Sequence, residues 1–389
     1  MLDFDVKKLC YGCESCYNKC PKNAISMEEG EDGFYYPVID KNKCIECKLC
    51  DKVCQVLNKN KIKNDNINIE NKKCFAVFNK EEKIRMKSSS GGLFTVLSKE
   101  IILQGGSVFG AVFDENMNVI HAQAKTLEEI SAMRGSKYSQ SKIGNTYKEV
   151  YELLKLRKKV LFTGTPCQIN GLYKFLGKEY EDLYTCDVVC HGVPSPLVFR
   201  KHLKSIENKD GKIKSYNFRN KETGWKSYSI KIEFENNKEK NILFNHDIYM
   251  KGFLNDLYLR NSCYNCKCKG DELMSDITIG DFWGIEKKYP KYHDNKGICC
   301  VMVNSKKGSD ILEKVKEEIF IEKVNLQDIL DENPSIIKAA KYNKKRRSFF
   351  KNINKIDVHT NIESNIKISI QFRIKRKIAR ILRKSALIK

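Results

Sequence analysis

The chain has 389 residues, 41% hydrophobic and 31% charged, with a formal net charge of +22 and 17 cysteines. That length allows two or three domains with a sizeable core, and so much apolar content beside seven prolines excludes disorder throughout. No apolar run approaches the ~18–20 residues of a bilayer span, which excludes an integral membrane protein. A cysteine motif begins at Cys10, where a signal-peptide core would lie. The expectation is a cytoplasmic chain whose cysteines are metal ligands or catalytic thiols rather than a disulfide framework.

Residues 1–57 form a cysteine-dense unit with eight of the 17 cysteines. Cys10-x2-Cys13-x2-Cys16-x3-Cys20-Pro21 is followed by Cys44-x2-Cys47-x2-Cys50-x3-Cys54. The first run matches the bacterial ferredoxin pattern, in which three closely spaced thiolates wrap one cubane and the fourth reaches the other. The expected ligand sets are therefore Cys10, Cys13, Cys16 and Cys54 for one [4Fe–4S] cluster, and Cys20, Cys44, Cys47 and Cys50 for the second. Gln55 stands where the usual proline would follow Cys54. The competing reading, a zinc module built on CxxC pairs, is disfavoured by two consecutive crossed four-cysteine runs.

A Lys/Asn-rich linker covers residues 58–73, and a mixed α/β region covers 74–324. Cys74-Phe-Ala-Val-Phe reads as a strand, Leu93–Leu103 as a helix by its apolar spacing, Gly105 onward as a turn and strand, and Val160-Leu-Phe as a short buried strand. The alternation from Tyr228 to Phe234 reads as a half-exposed strand. Ser88-Ser89-Ser90-Gly91-Gly92, just before the helix, is a candidate phosphate cradle: glycines admit close backbone approach, hydroxyls donate, and a helix N-terminus favours an anion. An ordinary serine N-cap is the bland reading of the same residues.

Ser89-Ser-Gly-Gly-Leu-Phe-Thr, Arg134-Gly-Ser-Lys-Tyr-Ser-Gln-Ser, Phe162-Thr-Gly-Thr-Pro-Cys-Gln, Cys190-His-Gly-Val-Pro-Ser-Pro, Gly224-Trp225-Lys226, Ser262-Cys-Tyr-Asn-Cys-Lys and Ser275-Asp-Ile-Thr-x-Gly-Asp-Phe-Trp-Gly occur in this order. Together they closely resemble the beta-subunit family of coenzyme F420-reducing hydrogenases and dehydrogenases, to which the plant 7-hydroxymethyl chlorophyll a reductases are similar in this domain. The resemblance covers about residues 1–305. It implies an α+β, α/β architecture: a small ferredoxin-like domain, then a mixed α/β flavin-binding domain. It also implies an iron–sulfur flavoprotein in which FAD exchanges single electrons with [4Fe–4S] clusters and reduces or oxidises an organic substrate. Flavin is the usual converter between one-electron carriers and hydride chemistry. The flavin contacts it suggests are Ser89, Ser90, Gly91, Gly92, Ser136, Lys137, Gln140, Thr163, Gly164 and Thr165.

The resemblance also points to a third [4Fe–4S] cluster on Cys167, Cys190, Cys263 and Cys266. Cys186 and Cys268 are alternatives, Cys268 in place of Cys266 for example, and buried structural thiols are the competing account. Cys74, Cys299 and Cys300 read as core residues. His191 is a candidate proton relay or a turn histidine; Asp276 and Asp281 either orient substrate or cap a turn; Trp283 stacks on a ring or packs.

Residues 325–389 read as a basic C-terminal extension. From Lys338 onward it holds 17 of the 71 Lys and Arg against two acids, Asp357 and Glu363, and so carries +15 of the net charge. Residues 366–387 form an amphipathic helix in helical projection, with Ile370, Ile374, Ile378, Ile381 and Leu382 on one face, suited to the inner face of an anionic membrane or to a partner. No nucleic-acid partner is expected. The readings carried forward are an oxidoreductase served by a redox partner such as ferredoxin or a reductase, an electron-transfer subunit of a separate catalytic partner, an F420-dependent beta subunit, and a non-redox interaction protein. Chains of this standalone form also resemble proteins of bacterial surface-polysaccharide synthesis.

Overall fold

In a computed structural model, residues 2–59 and 68–366 are described. The amphipathic segment beyond residue 366 lies outside them. The N-terminal unit is built on an antiparallel hairpin, β1 (Ile25–Glu29) and β2 (Tyr35–Ile39), with short helices at Ser15–Lys19 and Leu49–Val53. Both helices begin at a left-handed residue, Glu14 (φ 58°) and Lys48 (φ 57°). Each helix then carries the cysteine that ends its run, Cys20 or Cys54, towards the cysteines of the other run.

An eight-stranded mixed sheet forms the centre. Its strands are β3 (Lys73–Asn79), β4 (Ser107–Phe113), β5 (Val119–Ala124), β6 (Val160–Gly164) and β7 (Leu183–Val188). A separate antiparallel sheet is made of β8 (Ile213–Asn220), β9 (Ser229–Phe234) and β10 (Glu239–Leu243). The central sheet is completed by β11 (Ile277–Asp281), β12 (Cys299–Val303) and β13 (Ile319–Val324). The central order is β13-β3-β12-β11-β7-β6-β4-β5. β4, β6, β7 and β11 run parallel, and the flanking strands are antiparallel. The inner strands are near-continuous apolar runs because both faces are covered, as parallel strands require. The helix Leu93–Leu103 has the bounds its apolar spacing predicts and buries Leu93, Val96, Leu97 and Ile101 against this sheet. In β9, Ile230, Ile232 and Phe234 are buried while Lys231 and Glu233 stay half-buried, the predicted alternation.

The ferredoxin-like unit is seated on the body by buried polar contacts. The Glu14 carboxylate accepts from the Ile143 and Gly144 N–H groups at 3.1 and 2.9 Å. Ser15 Oγ donates to the Gly171 carbonyl at 2.7 Å, and Lys19 Nζ to that of Phe175 at 2.8 Å. At the hairpin tip, a Cβ on Gly33 (φ 73°) would stand 2.1 Å from Leu197 Cβ, so only glycine fits there.

Where the sequence suggests a basic extension, residues 326–366 cover the body. Ile329 and Ile336 join one core, and Phe349, Ile353, Val358 and Ile362 join another. Arg346, within the basic run, is buried with Nη2 2.9 Å from Asp32 Oδ2 and Nε 2.9 Å from the Leu259 carbonyl. His359 Nε2 lies 2.9 Å from His202 Nδ1 on the helix Pro196–Asp210. A local charge count cannot foresee this, because each basic residue's partner is distant in the chain.

Candidate functional site

Three small voids, each about 20 Å³, are lined by cysteines. One is bordered by Cys10, Cys13, Cys16 and Cys54, a second by Cys20, Cys44, Cys47 and Cys50. These are the two crossed sets that the spacing predicts. The third is bordered by Cys167, Cys190, Cys263, Cys266 and Cys268. Among the described residues, no three His, Cys, Asp or Glu side chains converge on a single-ion position. The sulfurs instead ring small spaces, as the corners of a cubane would require.

The third set comes from separate turns. Cys167 opens the helix Pro166–Leu176, whose capping box pairs Thr165 with Gln168. Cys190 follows β7, and Cys263 and Cys266 belong to the turn at Asn261–Asn265 and its cap. Thr165 Oγ1 lies 3.2 Å from Cys167 Sγ, and the Val193 N–H donates to Cys263 Sγ at 3.4 Å. Burial pushes the Cys190 and Cys263 thiols up to about 12, and Cys167 higher still. Without metal these thiols hold their protons; bound iron displaces them. The donor chemistry therefore fits an iron–sulfur cluster. A hydrogen bond from Cys268 holds the Cys266 thiol below its ordinary value, and the same contact with burial pushes Cys268 up. Cys186 lies in β7 and borders the larger cavity beside Cys299, not the third void.

That cavity, about 510 Å³, opens at the carboxyl ends of the parallel strands, where α/β folds place ligands. Ser89, Ser90, Gly92, Ser136, Lys137, Thr163, Gly164 and Thr165 line it. The helix Leu93–Leu103 starts at Gly92 (φ 87°) with no side-chain cap, so the serine N-cap is not realised; the Gly91 N–H donates to Cys299 Sγ at 3.2 Å and the Leu93 N–H also faces that sulfur. The serine hydroxyls are committed to the wall: Ser89 Oγ accepts from the Ser136 N–H at 2.7 Å, and Ser90 Oγ donates to the Ile298 carbonyl at 2.7 Å. Lys137 Nζ donates to the Met133, Arg134 and Gly135 carbonyls at 3.1–3.2 Å, and burial lowers its pKa to about 7.

Two of the sequence candidates lie outside the cavity wall. Gln140 sits at the junction with the ferredoxin-like unit, donating to the Tyr11 carbonyl and accepting from Arg260. Gly91 lies beneath the loop, where a Cβ would meet the Val77 carbonyl oxygen at 2.3 Å and Cys299 N at 2.9 Å. Gly91→Ala is therefore expected to displace the loop and destabilise the protein by about 1–3 kcal/mol. Thermal unfolding of the variant beside the wild type checks this; an unchanged midpoint would contradict it.

His191 lies in the wall that the cavity shares with the third void. Its Nε2 is 2.5 Å from Asp256 Oδ1 and its Nδ1 3.3 Å from Ser335 Oγ, so side chains rather than backbone hold it. Asp276 sits away from the cavity: its carboxylate accepts from the Thr185 N–H and hydroxyl at 2.8 Å each and from Ser305 Oγ at 2.6 Å, tying β7 to the cap of the helix Lys306–Lys314. Asp281 lines the cavity and accepts from Trp225 Nε1 at 2.7 Å and from Arg219 at 2.9–3.0 Å. Trp283 both packs and lines: it stacks on Trp225 at 4.9 Å and borders the cavity. Arg219 was not foreseen from sequence. It is buried, donates to the Ser89 carbonyl at 3.2 Å, and lies 4.0 Å over the Tyr228 ring. It occupies no recognisable motif, so no local signal marks it.

Crossed four-cysteine sites joined to a mixed α/β body define an iron–sulfur electron-transfer protein. Residues 157–329 match the family described by the C-terminal part of the coenzyme F420 hydrogenase/dehydrogenase beta subunit, and residues 9–58 match a 4Fe-4S dicluster domain. The chain is thus similar to this beta-subunit family over its central part and carries a two-cluster [4Fe–4S] domain at its N-terminal end. It is 24% identical over 331 residues to the coenzyme F420-dependent sulfite reductase of Methanocaldococcus jannaschii, covering 82% of this chain and 48% of that protein. It is 38% identical over 48 residues to a ferredoxin of the same organism, covering 12% of this chain and 61% of that one. The chain thus spans about half the length of the sulfite reductase it matches. A chain in the F420-reducing [NiFe] hydrogenase complex from Methanosarcina barkeri superposes with a TM-score of 0.46 at 17% identity, covering 71% of this chain and 92% of that one. No helix among the described residues is long and apolar enough to cross a membrane.

Proposed function

We propose that this chain is an iron–sulfur flavoprotein oxidoreductase that carries electrons between its ferredoxin-type clusters, a third [4Fe–4S] cluster and FAD, to reduce or oxidise an organic substrate. One observation carries the reading: the four spaces form a connected series. Cys20 and Cys50 of the second void pack in one cluster with Cys16 and Cys54 of the first. Tyr11 borders both the first and third voids, and Cys190, His191, Gly192 and Val193 border both the third void and the cavity. The small voids are far below the ~300–1,000 Å³ typical of organic-ligand pockets, whereas the cavity lies within that range. FAD bound there would convert single electrons to hydride chemistry.

The chain's own residues divide the work. The Ser89–Ser136 wall would hold the cofactor phosphates. Trp283 offers a ring face on the cavity. His191, held by Asp256 and Ser335, stands where a proton can be passed to a group in the cavity. Cys167, Cys190, Cys263 and Cys266 would bind the third cluster. A redox partner would meet the exposed Cys47 end of the ferredoxin-like unit.

The test is cofactor content in protein purified without oxygen. About twelve irons, from three cubanes of four, and about one flavin per chain are expected. About eight irons without flavin would overturn this reading and favour the electron-transfer subunit. For the segment beyond residue 366 we infer docking on an anionic membrane surface, consistent with a lipid-linked substrate of surface-polysaccharide synthesis. Loss of vesicle binding on its deletion is the expected result.

A further inference from the structure

Among the described residues, Lys269 is the only lysine or arginine that borders the third void. A lysine near the surface ordinarily runs its stem along the protein and leaves its head in water. The half-buried Lys269 turns its head inward instead. Nζ donates to the Cys190 carbonyl at 2.6 Å and to the Ser335 carbonyl at 2.5 Å.

The two acceptors come from different parts of the chain. Cys190 borders both the third void and the large cavity, and Ser335 borders the cavity. The ammonium therefore stands in the wall between the two spaces. Ser335 lies beyond residue 329, where the match to the beta-subunit family ends, so the C-terminal extension supplies half of the clamp. The contact holds whether Cys266 or Cys268 completes the ligand set, because Cys190 belongs to either. The other cations nearby are placed differently: Arg260 is tied into the junction with the ferredoxin-like unit, and Lys267 is exposed, where water and salt screen it.

A cluster gains one negative charge on reduction, and the net charge around it sets its potential. A fixed positive charge stabilises the reduced form more than the oxidised one. We propose that Lys269 raises the reduction potential of the third cluster and so draws electrons from the ferredoxin-type clusters towards the cavity. The step is a single-electron exchange: one ferredoxin-type cluster is oxidised as the third is reduced, and no bond is made or broken. Lys269 is a positioning residue in this sense, acting on the reaction through the cluster. The inference rests on the third-cluster reading above.

The experiment uses full-length protein purified without oxygen, with iron content and a redox titration followed by electron paramagnetic resonance. Lys269→Gln removes the charge and keeps a hydrogen-bond donor; Lys269→Arg keeps the charge. Lys269→Gln is expected to retain about twelve irons. Its third midpoint should fall by about 59 mV, a tenfold change in the one-electron equilibrium, with the two ferredoxin-type midpoints unmoved. Lys269→Arg should stay close to the wild type. An unchanged third midpoint in Lys269→Gln would overturn the inference. So would an equal fall in Lys269→Arg, which would trace the shift to the altered bonds and not to the charge. A Lys269→Gln protein with about eight irons and both ferredoxin-type signals intact would assign Lys269 to holding the Cys190 turn, and would overturn it as well. Eight irons in the wild type would instead overturn the third cluster itself, and this inference with it.

Discussion

Arg260→Met is expected to lower the thermal midpoint by roughly 6–20 °C, on a cost of about 3–5 kcal/mol and about 2–4 °C per kcal/mol. Arg260 is 1% exposed and joins three parts of the chain. Nε donates to the Cys10 carbonyl at 2.6 Å, Nη1 to Gln140 Oε1 at 2.8 Å, and Nη2 to the Tyr35 carbonyl at 2.9 Å. Its guanidinium lies 4.5 Å over the Tyr36 ring. Methionine fills similar space but leaves three acceptors without that donor, and each buried acceptor left unsatisfied costs about 1–3 kcal/mol. Lysine keeps the charge but not the planar fork, so Arg260→Lys should fall between the two. The residue also stands near Cys10 and Cys263. Removing its positive charge should therefore shift the potential of the ferredoxin-type cluster at Cys10 negative, because the more negative reduced state loses more stabilisation. Calorimetry and a redox titration check both effects; a midpoint within about 2 °C of wild type would refute the first.

Asp187→Asn is expected to stabilise the protein more at pH 8 than at pH 5. Asp187 is fully buried at the end of β7, and neither carboxylate oxygen has a hydrogen-bond partner. Thr278 and Ser275 lie beside it and pull its pKa down, but burial dominates and raises it to about 7 from an ordinary value of 3.8. A folded-state pKa above the unfolded one favours the fold at low pH. That stability is fully present below about 3.8 and is lost as pH rises through about 7. At pH 8 the difference amounts to about 4 kcal/mol as an upper figure. Asparagine has nearly the same shape and does not ionise, so the stability gap between variant and wild type should widen by about 2–4 kcal/mol from pH 5 to pH 8. His121 contributes in the opposite sense in both proteins: burial lowers its pKa to about 4, so its contribution is lost as pH falls below about 6.5. Comparing the two proteins at each pH cancels that background. Denaturant unfolding at pH 5, 6, 7 and 8 gives the gap, and a constant gap would refute the expectation.

The two crossed cysteine groups were legible in the sequence because the spacing within each run is local. Two-residue spacers hold three cysteines in one loop, and the fourth lies four residues further on, at the end of a short helix. The helix Leu93–Leu103 and strands β3, β4, β6 and β9 were legible for the same reason, since a 3.6- or 2-residue period needs no distant partner. The glycine and hydroxyl residues of Ser88–Gly92 do precede a helix, but their hydroxyls are turned into the wall.

What only the tertiary structure decided depends on chain crossings. The third cysteine group joins β6, β7 and a turn some 75 residues further on, and places Cys186 at the cavity instead. Arg219 and Arg260 reach their partners across 62 and 250 residues. Arg346, one of a run of four basic residues, is buried by an aspartate 314 residues earlier. Gln55 looked like a lost proline until the fold set Cys167 and Cys268 against its amide. In each case the energy resides in a hydrogen bond or ion pair whose two halves are far apart in the chain, so no local pattern records it.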